Sequence, residues 1–221
     1  AKTKGRLTLP SQSNFLNETK ELYTLWGADA IRDSDGTKLD DSIKDLGTKI
    51  YTTYFVAREH NDFIKNHMEE VQNFYLMSDR TTATSTTLEI HLMKGFYDQQ
   101  IQVHKHHDPK TYWQVIDRTT GKIENNWTVS DDYGIVTIAS IPFHEYTVGF
   151  LADAIWDPTS MYNHLTNDWG DRPHQIPFDV HKPHSQQYVV DYLKQWLIDN
   201  PKTDVVRFTT FFYHFTLFFN E

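Results

Sequence analysis

The chain has 221 residues, 38% of them hydrophobic and 14% aromatic, which is enough apolar material for one large or two small cores. Its formal net charge of −9 argues against nucleic acid and against an anionic membrane surface, both of which call for a basic patch. With no cysteine, disulfides and thiolate metal sites are excluded, and the first ten residues hold no long apolar run, so neither a signal peptide nor a membrane span is expected. A cytoplasmic protein is the expectation.

Residues 14–26 predict a helix, with Phe15, Leu22, Leu25 and Trp26 on one face and Gly27 as its stop. A short strand over 29–31 runs into the polar cluster of Arg32, Asp33, Ser34 and Asp35. Leu39, Ile43 and Leu46 mark a second helix, and 50–56 is rich in β-formers. A third helix is expected over 58–71. This alternation predicts parallel βα units.

From about residue 73 to 141 the pattern changes to short strands. The segments 112–116 and 123–129 flank a hairpin turn, and 131–134 predicts another turn before a strand at 135–138. This stretch reads as a small β-rich insertion, with a separate β domain as the alternative. The apolar run 147–155 reads as the next buried barrel strand. A long polar and aromatic loop follows over 159–183, then an amphipathic helix at 185–199 and a strand at 205–212.

The expectation is therefore a (β/α)8 barrel of which about four βα units are present. Its division is 1–72 for the first units, 73–141 for the insertion and 142–221 for the continuation. Four units cannot close a barrel of eight strands. That count, with the very apolar stretch 208–219, predicts a fragment that needs further chain, or a second chain, to complete it.

Parallel strands present their carboxyl ends on one face, where barrel sites lie. Arg32, Asp33 and Asp35 follow the first strand and Tyr54 ends the second. Asp157, Asn163, His164, Asn167 and Asp168 follow the third, and Arg207, Thr209, Thr210 and Tyr213 belong to the fourth. Two arginines on one rim suit an oxyanion, since a guanidinium fork binds phosphate or carboxylate through paired hydrogen bonds. The plain alternative pairs Arg32 with Asp33 or Asp35 and Arg207 with a neighbouring acid. Paired carboxylates suitable for a glycosidase, such as Asp33 with Asp157 or Asp168, occur among 30 acidic residues by chance. His104, His106 and His107 could ligate a metal, but a solvated loop reads better. No phosphate-loop glycine motif is present.

Five strings carry a closer resemblance: GRLTLP (5–10), WGADAIRDSDGT (26–37), IWDP (155–158), MYNHLTNDWG (161–170) and DVVRFTTFFY (204–213). They resemble the lacto-N-biose/galacto-N-biose phosphorylases, the 1,3-β-galactosyl-N-acetylhexosamine phosphorylases of glycoside hydrolase family 112, and the likeness covers essentially the whole chain. The resemblance implies a cytoplasmic, homodimeric barrel enzyme that uses inorganic phosphate as substrate, with no cofactor and no metal. It implies reversible, inverting phosphorolysis of galactosyl-β-1,3-N-acetylhexosamine to α-galactose 1-phosphate and GlcNAc or GalNAc. It suggests Arg32, Asn163 and Arg207 as sugar or phosphate contacts, with Asp33, Tyr54 and Asp168 as further candidates. Thr159 stands where relatives carry Val or a hydroxyl residue. A hydroxyl there could bond the axial O4 of GalNAc, which favours galacto-N-biose. The general acid is expected beyond residue 221, so these residues alone should bind weakly without turnover. A glycoside hydrolase, or a non-catalytic carbohydrate-binding or assembly module, is the competing expectation.

Overall fold

The computed structural model describes residues 7–34, 38–56 and 59–209. In chain order the first elements are β1 (Thr8–Ser11), α1 (Leu16–Trp26), β2 (Ala30–Asp33), α2 (Asp41–Lys44), β3 (Lys49–Phe55) and α3 (Asn61–Ile64). A 3-10 turn, Met68–Glu70, leads into β4 (Asn73–Met77), β5 (Thr81–Thr82), β6 (Thr87–His91) and β7 (Ile101–Val103). Next come α4 (Pro109–Tyr112), β8 (Gln114–Asp117), β9 (Lys122–Glu124), β10 (Trp127–Val129), β11 (Ile135–Ala139) and β12 (Glu145–Ala154). The last three are α5 (Pro158–Thr166), α6 (Pro183–Asp199) and β13 (Val205–Thr209).

The chain divides into two units: 1–56 with 183–211, and 57–182 with 212–221. The first holds one parallel sheet in the order β1-β2-β3-β13. Strands follow sequence order with no reversal, which is the winding of a (β/α) barrel rather than of a doubly wound sheet. Leu9, Ala28, Ile31, Leu39, Ile43 and Ile50 form its core, with Leu22 and Tyr23 of α1 packed against them. Gly27 closes α1 at φ 64°, its N–H bonding Tyr23 O at 3.0 Å, a left-handed turn that glycine enters without a Cβ penalty.

The second unit is built from antiparallel sheets: β10-β11-β6, and a six-stranded sheet in which β12 pairs with β4, β5, β7 and β8. Phe150, Val148, Val115, Leu92 and Ile138 are fully buried in its core.

Four parallel strands are present as expected, but they are not the expected four. The apolar run at 147–155 forms β12, the centre of the antiparallel sheet. It is buried on both faces, and that burial, not strand direction, writes a continuous apolar run. The fourth parallel strand is β1. Its Pro10 lacks a ladder donor and is tolerated because β2 is the one partner of β1 among the described residues. The units consequently change near 56 and 182, not near 72 and 141, and the second unit lies between β3 and the crossover helix α6. The helix expected over 58–71 is only α3 and a 3-10 turn. Within the expected loop 159–183 lies α5. Asp157 caps it by accepting from Thr159 N and Ser160 N, and Pro158 occupies its first turn. The apolar stretch after residue 209 lies outside the described residues.

Candidate active site

In the first unit, polar chemistry gathers where the parallel strands reach their carboxyl ends. Ile31 belongs to the core beneath the helices, so strand alternation turns Arg32 to the opposite face. Tyr54 and Phe208 meet ring to ring on the α6 side, so their neighbours Thr53 and Arg207 turn away from α6. Both arginines thus share the sheet face that is free of those helices.

They also share a partner. Arg32 Nη1 donates to the main-chain oxygen of Asp33 at 2.9 Å, and Arg207 Nη1 donates to the same oxygen at 3.4 Å. Arg207 Nη1 further reaches Asp33 Oδ1 at 3.3 Å and Thr53 Oγ1 at 3.2 Å. The Asp33 carboxylate, 7% exposed, accepts from Thr53 N at 2.6 Å and from the Thr53 hydroxyl. Asp33 is therefore a bracket. It ties β2 to β3 and holds one guanidinium across the sheet.

Among the described residues Arg207 reaches the Asp33 carboxylate, whereas Arg32 meets the main-chain oxygen of Asp33, so two guanidinium groups stand beside a single described carboxylate. The described contacts use only Nη1 of each fork, and the Arg207 side chain is 37% exposed. An oxyanion docking against the remaining N–H groups would balance the charge with charge-assisted hydrogen bonds. Asp35, Thr210 and Tyr213 lie outside the described residues.

Tyr54 is placed differently. It is 2% exposed under α6, packed edge-on against Trp196 and Phe208, and its hydroxyl donates to Val189 O at 3.3 Å. Burial pushes that hydroxyl up to about 12, so it stays protonated. These contacts assign Tyr54 to the core of the sheet, away from the face that carries the arginines.

Thr159, Asn163 and Asp168 belong to the second unit, on α5 and just after it, following an antiparallel strand rather than a parallel one. Asn163 Nδ2 donates to Thr159 O at 2.8 Å, and Asn163 Oδ1 accepts from Asn167 Nδ2 at 2.6 Å. Asp168 is exposed and takes φ 53°, a left-handed turn that aspartate tolerates better than most residues.

The histidine cluster is not the solvated loop that was expected. His104 is 1% exposed, and its Nδ1 meets Asp153 Oδ1 at 2.6 Å, a carboxylate supplied by β12 far along the chain. Asn73 Nδ2 also donates to that oxygen at 2.6 Å. On the other side His104 Nε2 faces His107 Nδ1 at 2.6 Å, a direct hydrogen bond that leaves no room for an ion between them. His106 and His107 are exposed. Only topology could reveal Asp153 here, since the sequence separates it from His104 by 49 positions. Within either unit, no trio of His, Asp or Glu atoms among the described residues converges closely enough to hold a metal.

A sequentially wound parallel sheet with a basic cluster at its strand ends defines a barrel-type domain. Residues 5–221 match the family described as the lacto-N-biose phosphorylase N-terminal TIM barrel domain, and the chain belongs to this family. It is 54% identical over 220 residues to a 1,3-beta-galactosyl-N-acetylhexosamine phosphorylase of Bifidobacterium longum subsp. longum, covering 98% of this chain and 29% of that protein. A protein of the same name from Lachnoclostridium phytofermentans is 47% identical over 224 residues, covering 100% of this chain and 31% of the relative. A D-galactosyl-beta-1->4-L-rhamnose phosphorylase of the same organism is 40% identical over 216 residues, covering 96% and 30%. The chain thus spans under a third of the length of these curated relatives. No described helix is long and apolar enough to cross a membrane.

Proposed function

We propose that this chain supplies the phosphate and galactosyl side of an inverting 1,3-β-galactosyl-N-acetylhexosamine phosphorylase. The observation that carries the proposal is the convergence of Arg32 and Arg207 on the Asp33 carbonyl oxygen. In the reaction a phosphate oxygen bonds to the anomeric carbon on the face opposite the leaving sugar. The bond from that carbon to the glycosidic oxygen breaks, the leaving oxygen takes a proton, and β becomes α. Phosphate arrives already anionic, so no base is required, whereas one proton donor is. The arginines hold the phosphate and offset its charge as it nears an oxygen-rich sugar.

The proton donor comes from outside these residues. Among the described residues Asp33 is the one carboxylate that Arg207 reaches, and its oxygens are taken by Thr53 and Arg207. The relatives share a galactosyl group in their names but differ in the acceptor sugar. This supports assigning the common N-terminal portion to galactose and phosphate, with Asn163 and Asp168 as sugar contacts. Thr159 is then the residue that tilts the acceptor preference toward galacto-N-biose, through an added hydrogen bond worth about 1 kcal/mol. A homodimer is part of the same proposal, and light scattering on the longest form of the protein tests it.

The decisive experiment is phosphate-dependent release of α-galactose 1-phosphate from galacto-N-biose and lacto-N-biose by the longest natural form of the protein. Arg207→Ala should abolish most of it. Wild-type turnover in that variant, or product release unchanged without phosphate, would refute the assignment.

A further inference from the structure

His164 sits in the last turn of α5 with both ring nitrogens facing main-chain carbonyls. Nδ1 lies 2.7 Å from Ser160 O and Nε2 lies 2.8 Å from Arg172 O. Carbonyl oxygens only accept, and a neutral imidazole carries a single N–H. A neutral ring would therefore set a lone pair against one of the two oxygens. Both contacts are hydrogen bonds only when the ring carries two protons.

The surroundings suit that cation. The carboxyl end of a helix bears partial negative charge. The Trp156 ring stands 5.2 Å away at 88°. The titratable and charged groups on the packed segments are His174, with its ring at 5.2 Å, Arg172, whose guanidinium lies 3.9 Å over the Trp169 ring, the exposed Asp168 and Asp171 of the 167–173 stretch, and Asp157 at the far end of α5. His174 stacks flat on Trp156 at 3.4 Å. Partial desolvation and the charge of His164 hold His174 below its ordinary value.

The bond to Arg172 fixes a particular piece of chain. Arg172 N bonds Trp169 O at 2.9 Å, so 169–172 is a compact turn and moves as a piece. The following residues are pinned independently, by Asp157 N to Gln175 O at 2.6 Å and by Asn61 Nδ2 to His174 O at 2.8 Å. Asn167 is tied to Asn163 of α5 by its own N–H and side-chain bonds, and from the 169–172 turn the His164 bond to Arg172 O is the described tie back to α5. The stretch 167–173 carries Asp168 and Asn167, and Asn167 in turn holds Asn163.

We propose that His164, doubly protonated, is a positioning residue that clamps residues 167–173 onto α5 and so sets the edge formed by Asn163, Asn167 and Asp168. The positioning role rests on the reading of Asn163 and Asp168 as sugar contacts; the clamp itself does not.

The clamp is tested on the full chain by NMR of the imidazole nitrogens and by hydrogen exchange across pH. Both His164 nitrogens should be protonated while 167–173 is protected. As the ring loses a proton with rising pH, exchange in 167–173 should quicken about tenfold, with β12 unaffected. A neutral His164 alongside a protected 167–173 overturns the clamp. His164→Gln, which cannot donate in both directions, should show the fast exchange at every pH. If that variant fails to fold, the wild-type titration still decides.

In the longest natural form, His164→Gln should raise KM for the disaccharide about tenfold with kcat nearly unchanged. Faster exchange with unmoved KM would sink the positioning role and the sugar-contact reading while sparing the clamp. A His164→Arg variant, cationic with several donors, should recover part of the affinity, which a purely packing role would not allow.

Discussion

The cluster around Asp33 and the network around Asp153 are both buried carboxylates with basic neighbours, yet they are built to opposite ends. At Asp33 two guanidinium groups share one main-chain oxygen, Arg207 also reaches the carboxylate, and only one nitrogen of each is engaged by described residues. At Asp153 one carboxylate, one imidazole and one amide satisfy each other at 2.6 Å, and the chain of contacts ends in His107 at the surface. Guanidinium donors that no described residue engages can take an oxyanion, whereas a closed network is compatible with a purely structural role. The difference separates the cluster proposed to take phosphate from a network whose described polar groups satisfy one another.

That contrast can be broken in order of size. Arg207→Ala should lower phosphorolysis in the longest natural form by about a hundredfold or more while costing only about 1 kcal/mol of stability, measured by steady-state kinetics and denaturant melts. Asp153→Ala should do the reverse. It strands His104 and Asn73 in a dry interior, so the second unit should lose about 3 kcal/mol of stability, and the affinity for phosphate should not move. A phosphate KM that shifted with Asp153→Ala would erase the distinction between the two clusters.

Tyr54→Phe probes the core side of the first sheet. It deletes the bond to Val189 O and should cost about 1 kcal/mol in a denaturant titration, with unchanged KM for phosphate. A large kinetic effect would return Tyr54 to the ligand site. The smallest effect is a pH dependence. His174 is held below its ordinary value of 6.5 by partial desolvation and by His164. Its unfolded form therefore takes up a proton first as pH falls. The stability it supports is present above the ordinary value and fades in mild acid as the folded ring is protonated. A His174→Asn variant should flatten that part of the stability–pH curve.

Helix α1, helix α6, the 117–122 hairpin turn and strands β2 and β3 were legible because local chemistry fixes them. Gly27 stops a helix, an apolar stripe marks α6, and the hairpin turn places Gly121 at φ 74°. Helix α5 was also written locally, in Asp157 followed by Pro158, but the density of polar residues drew attention to a loop. The arginine pair was readable as two cations at strand ends. That Asp33 would bracket Arg207 was not readable, because the bond crosses 174 positions.

By itself the sequence determined that parallel βα units would form, where their main helices would stop, and which strings carry the resemblance to a phosphorylase family. Tertiary structure alone decided which strands pair with which. It made the 147–155 run the centre of an antiparallel sheet, promoted the short β1 to the parallel one, and buried His104 against Asp153. The reason is physical: helix stops and turns depend on neighbours a few residues away, whereas strand partners and buried ion pairs depend on groups that only the folded chain brings within hydrogen-bond reach.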